Sequence, residues 1–156
     1  MKYALLLVLA IASCQAPEKP EREQSVTQEE KQIAMDLIQG VFDDIWAGAD
    51  SSKLLNYHTE DFTLLEHGEV WDNETIMGYI RRQNARENRP IRTNRMDYLW
   101  IEKYGESLQM GYHNYADFTQ DDSIIYKGQW LESALAVPTD KGWRLKMMHS
   151  TRVRKD

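Results

Sequence analysis

Gly142-Trp143-Arg144-Leu145-Lys146-Met147-Met148-His149-Ser150-Thr151 is the stretch on which the reading of the fold turns. It follows a turn made with Asp140 and Lys141, and its spacing predicts a strand over about Trp143–Arg154. Period-two alternation puts Trp143, Leu145, Met147, His149 and Thr151 on one face, and Arg144, Lys146, Met148, Ser150 and Arg152 on the other. The first set is mostly apolar and is expected to face inward. Working back along the chain, Asp121-Asp122 and Gly105-Glu106 are further turns. They divide strands predicted at about Thr93–Tyr104, Leu108–Thr119 and Ile124–Val137. Before Pro90 the periodicity is helical. Ile33, Leu37, Val41 and Ile45 recur every four residues, with Ala34, Ile38, Phe42 and Trp46 in a second row. Two adjacent rows make a broad apolar stripe on one long helix over about 28–47. Thr27 and Glu30 have capping-box spacing at its start, and Gly48 is a stop at its end. Asp50 can cap a short helix carrying Leu54, Leu55 and Tyr57. Phe62–His67 reads as a first strand and Gly68 as a turn. Asp72 or Asn73 can cap a third helix with Ile76, Met77 and Ile80 turned inward. The expected class is α+β, with the helices packed in a curved antiparallel sheet that leaves a concave interior.

Two local patterns add a resemblance. Tyr57-His58-Thr59-Glu60-Asp61-Phe62, joining the short helix to the first strand, is one. Gly142-Trp143-Arg144-Leu145-Lys146 running to His149-Ser150-Thr151 is the other. With the order of elements, residues 27–156 resemble the SnoaL-like branch of the nuclear transport factor 2-like superfamily. The resemblance implies a cone-shaped α+β barrel, commonly a homodimer, with a pocket between helices and sheet. It implies no single reaction, because relatives include isomerases, dehydratases, epoxide hydrolases and noncatalytic binding modules. Function has to be argued from the site.

Alternation sorts the candidate pocket residues. The strand over 124–137 puts Trp130, Glu132, Ala134 and Ala136 on one face, and small alanines suit the concave side of a sheet under a helix. The expected inward set is Trp46, Tyr57, Tyr98, Trp100, Tyr112, Asn114, Glu132 and His149. Glu132 is a candidate acid or base if an apolar pocket raises its pKa, and otherwise one half of an ion pair. His149 is a candidate general base or a core histidine held by a carbonyl. Tyr98 and Tyr112 can donate to an oxyanion or serve as amphipathic wall residues. His58 and Asp61 are a second, weaker base-and-orienter pair, since Asp61 can equally cap a turn. No H-x-x-x-H or H-x-H spacing exists among the four histidines, so no metal site is expected, and no cofactor motif is present. Arg81, Arg82, Arg86, Arg89, Arg92 and Arg95 form a basic run that can meet an anion or simply be a solvated helix end.

At the N-terminus, Lys2 precedes an apolar run from Ala4 to Ala12, too short to span a bilayer. The run ends in Ile11-Ala12-Ser13-Cys14, which resembles a bacterial lipoprotein signal. The resemblance implies a signal peptide over residues 1–13, cleavage before Cys14, lipidation of that cysteine and anchoring to a membrane of the cell envelope. Gln15 is not the aspartate associated with inner-membrane retention, which favours the outer membrane. Residues 14–26, with Pro17 and Pro20 and almost no aliphatic side chain, read as a lipidated tether.

The chain has 156 residues, 42% hydrophobic and 28% charged, with a formal net charge of -6. These values suit one globular domain plus a tail and exclude a multi-pass membrane protein. The acidic balance argues against a nucleic-acid binder held by phosphate contacts. With no nucleophile elbow, phosphate loop or paired-carboxylate motif, the expected function is binding of a small, mostly apolar ligand or a protein partner. The alternative is acid–base catalysis, isomerisation or dehydration, on a small apolar carbonyl or hydroxyl compound.

Overall fold

The computed structural model describes residues 25–154. Cys14, the segment 1–13 and all but the last two residues of the tether lie outside the described residues. Helix α1 spans Gln28–Gly40 and continues into a π-helical turn, Val41–Ala47. A 3-10 turn, Ser51–Lys53, and the one-turn helix α2, Leu54–Tyr57, lead into the first strand. Strand β1 is His58–Glu66, β2 is Glu69–Trp71 and helix α3 is Asn73–Asn84. Four long strands complete the chain: β3 Ile91–Tyr104, β4 Ser107–Gln120, β5 Ser123–Thr139 and β6 Gly142–Arg152.

Local chemistry starts and stops these elements. The Thr27 hydroxyl accepts the Glu30 amide at 3.1 Å and the Glu30 carboxylate accepts the Thr27 amide at 2.9 Å, a reciprocal cap on α1. Asp72 caps α3 through the Thr75 amide at 2.8 Å. His67 and Gly68 both have positive φ, 50° and 91°, and make the two-residue connection of the β1–β2 hairpin.

The sheet order is β2-β1-β6-β5-β4-β3. All pairings are antiparallel except β1 with β6, which is parallel. The sheet is therefore mixed where a wholly antiparallel one was expected. The difference has a simple origin: β1 precedes α3, and β6 returns from the far side of the meander to lie beside it. Strands β2 and β3 remain edges, so the curved sheet does not close on itself.

Both helical rows reach the core. Ala34, Leu37, Ile38, Val41, Phe42 and Ile45 are buried against Leu108, Met110, Tyr112, Ala134 and Ala136 of the sheet, with Ile76 and Ile80 of α3 beside them. The expected single helix over 28–47 is instead α-helical and then π-helical. The Gly48 amide donates to the Asp43 carbonyl at 2.7 Å, the five-residue spacing of a π turn.

Two bulges change which side chains face the helices. In β3, Tyr98 pairs with Tyr112 but Trp100 pairs with Gly111, so Leu99 is an extra residue. In β6, Leu135 pairs with Met147 and Ala136 with Leu145, so Lys146 is extra. Each inserted residue reverses the alternation beyond it.

Candidate functional site

A cavity of about 390 Å³ lies between the π turn, α3 and the concave side of the sheet. Phe42 and Trp46 project into it from the π turn, Trp71 from β2 and Tyr79 from α3. The Trp46 and Tyr79 rings meet edge to face with centroids 5.9 Å apart, and Trp71 lies 5.6 Å from Tyr79. Phe118 and Trp130 close the sheet side, with Leu64 and Met148 between. The polar groups on this wall are few: Arg92, Glu66, Glu132, Ser150 and, nearer the rim, Arg152, His67 and Glu69.

Glu132 is buried on β5. Its Oε1 accepts the Ser150 hydroxyl at 2.9 Å and its Oε2 the Asn114 amide at 3.3 Å. Asn94 donates in turn to the Asn114 carbonyl oxygen at 2.6 Å, so a chain of hydrogen bonds runs under the cavity floor. Loss of hydration on burial raises the Glu132 carboxyl to about 7, against these bonds and the Arg92 charge, which favour the carboxylate. Glu66, half-buried at the end of β1, is also raised by burial, although His67 sits 2.8 Å from it.

Arg92 enters from β3. Its guanidinium carbon lies 5.5 Å from the Phe42 ring centroid, 5.5 Å from Phe118 and 5.4 Å from Trp130. Three ring faces thus hold one cation at the cavity wall.

The residues picked out from the sequence divide three ways. Trp46 and Glu132 line the cavity. Asn114 and Tyr112 lie beneath it, Asn114 as the Glu132 partner and Tyr112 fully buried. Burial and the nearby Glu132 charge push the Tyr112 phenol well above its usual range. Tyr98 packs on Tyr112 at 5.5 Å and donates to the Met35 carbonyl at 3.4 Å, away from the cavity. Tyr57 serves the helical end of the domain. Its hydroxyl donates to Asp44 at 2.5 Å, and burial raises it to about 12.

His149 and Trp100 require correction. Both were expected inward and both are exposed on the convex face. The Lys146 bulge sends Ser150 rather than His149 toward Glu132, and the Leu99 bulge sends Ile101 inward in place of Trp100. His58 and Asp61 do not converge either. His58 is stacked on Phe62 with ring centroids 3.7 Å apart, its Nδ1 lies 2.8 Å from the Asn73 side-chain oxygen, and burial lowers its pKa to about 4. Asp61 is exposed and pairs with Lys146.

In the sequence Arg92 is one of six arginines in a basic run, and nothing local sets it apart. That run disperses in space. Arg81, Arg82 and Arg86 are exposed, Arg89 donates to the Ala47 carbonyl at 2.8 Å, and Arg92 alone joins the cavity. Counting back from Tyr98 in twos along β3 would have reached it.

A larger open hollow of about 1300 Å³ runs along the far ends of β3 to β6. Several of its charged groups have partners: Arg95 pairs with Asp97, Lys127 with Asp117 at 3.6 Å, and Arg152 donates to the Tyr126 hydroxyl. The smaller cavity, which holds an unpaired cation among aromatic rings, is the candidate site. Among the described residues no cluster of His, Cys, Asp or Glu is arranged to hold a metal ion.

Solved structures share this architecture. An NTF2-like protein from Cytophaga hutchinsonii superposes with a TM-score of 0.65 at 12% identity, over 82% of this chain and 100% of its own. The CaMKII hub homology domain from Chlamydomonas reinhardtii gives 0.69 at 17% identity, over 80% and 98%. A nuclear transport factor 2-like superfamily protein from Salmonella enterica serovar Typhimurium gives 0.67 at 16%, over 83% and 95%. At these identities the likeness establishes the nuclear transport factor 2-like fold and nothing finer. No family model and no curated protein sequence matches the chain.

Proposed function

We propose that this chain is a lipid-anchored protein of the bacterial cell envelope whose domain binds a small, mostly apolar ligand without altering it. The observation that carries the binding reading is the cavity itself. It has about 390 Å³, walls of Phe42, Trp46, Trp71, Tyr79, Phe118 and Trp130, and a handful of polar groups at one side. That is the composition of a small-molecule site. The anchor rests on Ile11-Ala12-Ser13-Cys14. Native mass spectrometry of the full-length protein purified from envelopes tests the binding reading. A retained small molecule, lost in a Trp46→Ala variant, is expected, and a chain that is always empty would count against it. The anchor is tested separately: Cys14→Ala is expected to leave the membrane fraction.

Glu132 supports a second reading, proton transfer during isomerisation or dehydration. Its carboxyl, held at about 7 on the cavity wall, is near the optimum for acid–base work at neutral pH. His149 has no part in it.

A homodimer formed through the convex face fits the same proposal. Leu65, Trp100 and Leu131 are exposed there, and two of the structural neighbours are CaMKII hub domains.

A further inference from the structure

We infer that the ligand is a small monocarboxylate with an apolar body, and that its carboxylate seats on the Arg92 guanidinium. This inference rests on the binding reading above and names the ligand class. It follows from a count of donors and acceptors on the cavity wall. The Glu132 carboxylate oxygens are both occupied, by Ser150 and by Asn114. Glu66 has His67 against it at 2.8 Å. The acids of the wall are therefore partnered.

The donors are not. Arg92 Nε is buried with no acceptor among the described residues, and the same holds for the indole Nε1 of Trp46 on the π turn. No carboxylate lies in ion-pair contact with Arg92 among them, the six described ion pairs being made by other residues. Ring faces at about 5.5 Å attract the cation but accept none of its in-plane hydrogen bonds. A buried donor without an acceptor is costly, and a guanidinium fork fits a carboxylate through two parallel bonds. Among the described residues the two terminal nitrogens of Arg92 have no hydrogen bond either, and a ligand carboxylate on them would supply the acceptor the guanidinium lacks.

Charge limits it to one. Glu66 and Glu132 stand on the same wall, and Arg152 at the rim is turned to Tyr126. Arg92 already feels the Glu132 and Glu66 charges without touching either, so the ligand's charge has to be small, and a phosphate dianion would add further repulsion from both acids. The same cation opposes an amine. Trp71, Met148 and the ring faces of Trp46 and Tyr79 offer the rest of the ligand mostly apolar contact, and about 390 Å³ confines it to a small molecule.

The test is isothermal titration of the full chain with three probes of one shape: phenylacetate, phenylacetamide and 2-phenylethylamine. Phenylacetate is expected to bind about tenfold or more tightly than the amide, the difference made by charge-assisted hydrogen bonds. Arg92→Met is expected to erase that preference while still binding the amide. Arg92→Lys, which keeps a cation among the rings and guards against loss of folding in the first variant, is expected to reduce the preference without abolishing it. Trp46→Phe is expected to weaken phenylacetate severalfold. Equal binding of amide and carboxylate, or an undiminished preference in Arg92→Met, overturns the carboxylate assignment and leaves the binding reading standing. Tighter binding of the amine overturns it in favour of Glu66 and Glu132 as the anchors. No saturation by any probe also overturns it, and the retained mass in native spectrometry then decides whether the binding reading falls too.

Discussion

Two buried titratable side chains act on stability in opposite directions. His58 is held neutral by burial, its pKa falling from 6.5 to about 4. Between those values the unfolded chain binds the proton and the folded chain does not, so stability is lost as pH falls from 6.5 toward 4. The whole effect is on the order of 3 kcal/mol. Glu132 is raised from 4.5 to about 7, again by burial. Here the folded chain holds the proton longer, so stability present below pH 4.5 is lost as pH rises through 7. This too amounts to about 3 kcal/mol. From pH 4.5 to 6.5 these two slopes nearly cancel, and Glu66, also raised by burial, adds a fall in stability as pH rises. His58→Phe is expected to leave the falling Glu132 slope, with stability decreasing as pH rises. Glu132→Gln is expected to leave the rising His58 slope, and to gain relative to wild type at pH 8 compared with pH 5. Urea midpoints across this range measure all three. Alternation along β5 turned Glu132 inward from the sequence alone, but the partners of both groups lie far along the chain and were not legible: Asn73 for His58, Asn114 and Ser150 for Glu132.

At the level of elements, the sequence was most informative where one short-range rule acts alone. The capping box at Thr27, the paired apolar rows of α1 and the turns at Gly105, Asp121 and Asp140 all stand as read. What escaped were positions where an element breaks its own period. No residue type announces the extra residues Leu99 and Lys146, because the bulges arise from fitting long, curved strands to their neighbours. One slip in each moved Trp100 and His149 to the opposite face. The π turn is similar: it widens the helix where Phe42 and Trp46 meet the cavity. Gly40, just before this turn, leaves room for Tyr57. A Cβ there would lie 2.4 Å from the Tyr57 ring. Gly40→Ala should gain about 1 kcal/mol of helix propensity and lose about 1–3 kcal/mol by displacing the ring. The bond from Tyr57 to Asp44 would be disturbed with it. A lower melting temperature is the expected net outcome, read by calorimetry.

For the whole molecule, the α+β class and the concave interior followed from the order of elements, whereas the site did not. Arg92 meets Phe42, Phe118 and Trp130 only after the sheet has curved, so no local pattern could pair them. The convex face gives a prediction at this scale. Leu131→Glu is expected to shift the domain toward monomer in sedimentation equilibrium, with the helical circular dichroism unchanged. A wild-type chain that is monomeric at every concentration would remove the dimer from the proposal. The parallel pairing of β1 with β6 bears on how such a molecule comes into being. The last strand of the domain to leave the ribosome is an interior member of its sheet, flanked by β1 and β5. Until it arrives, β1 and the hairpin it carries have no route to the meander, and the helices no complete surface to cover. Assembly must therefore wait on a contact spanning most of the domain. A closing step of this non-local kind is expected to make folding slow.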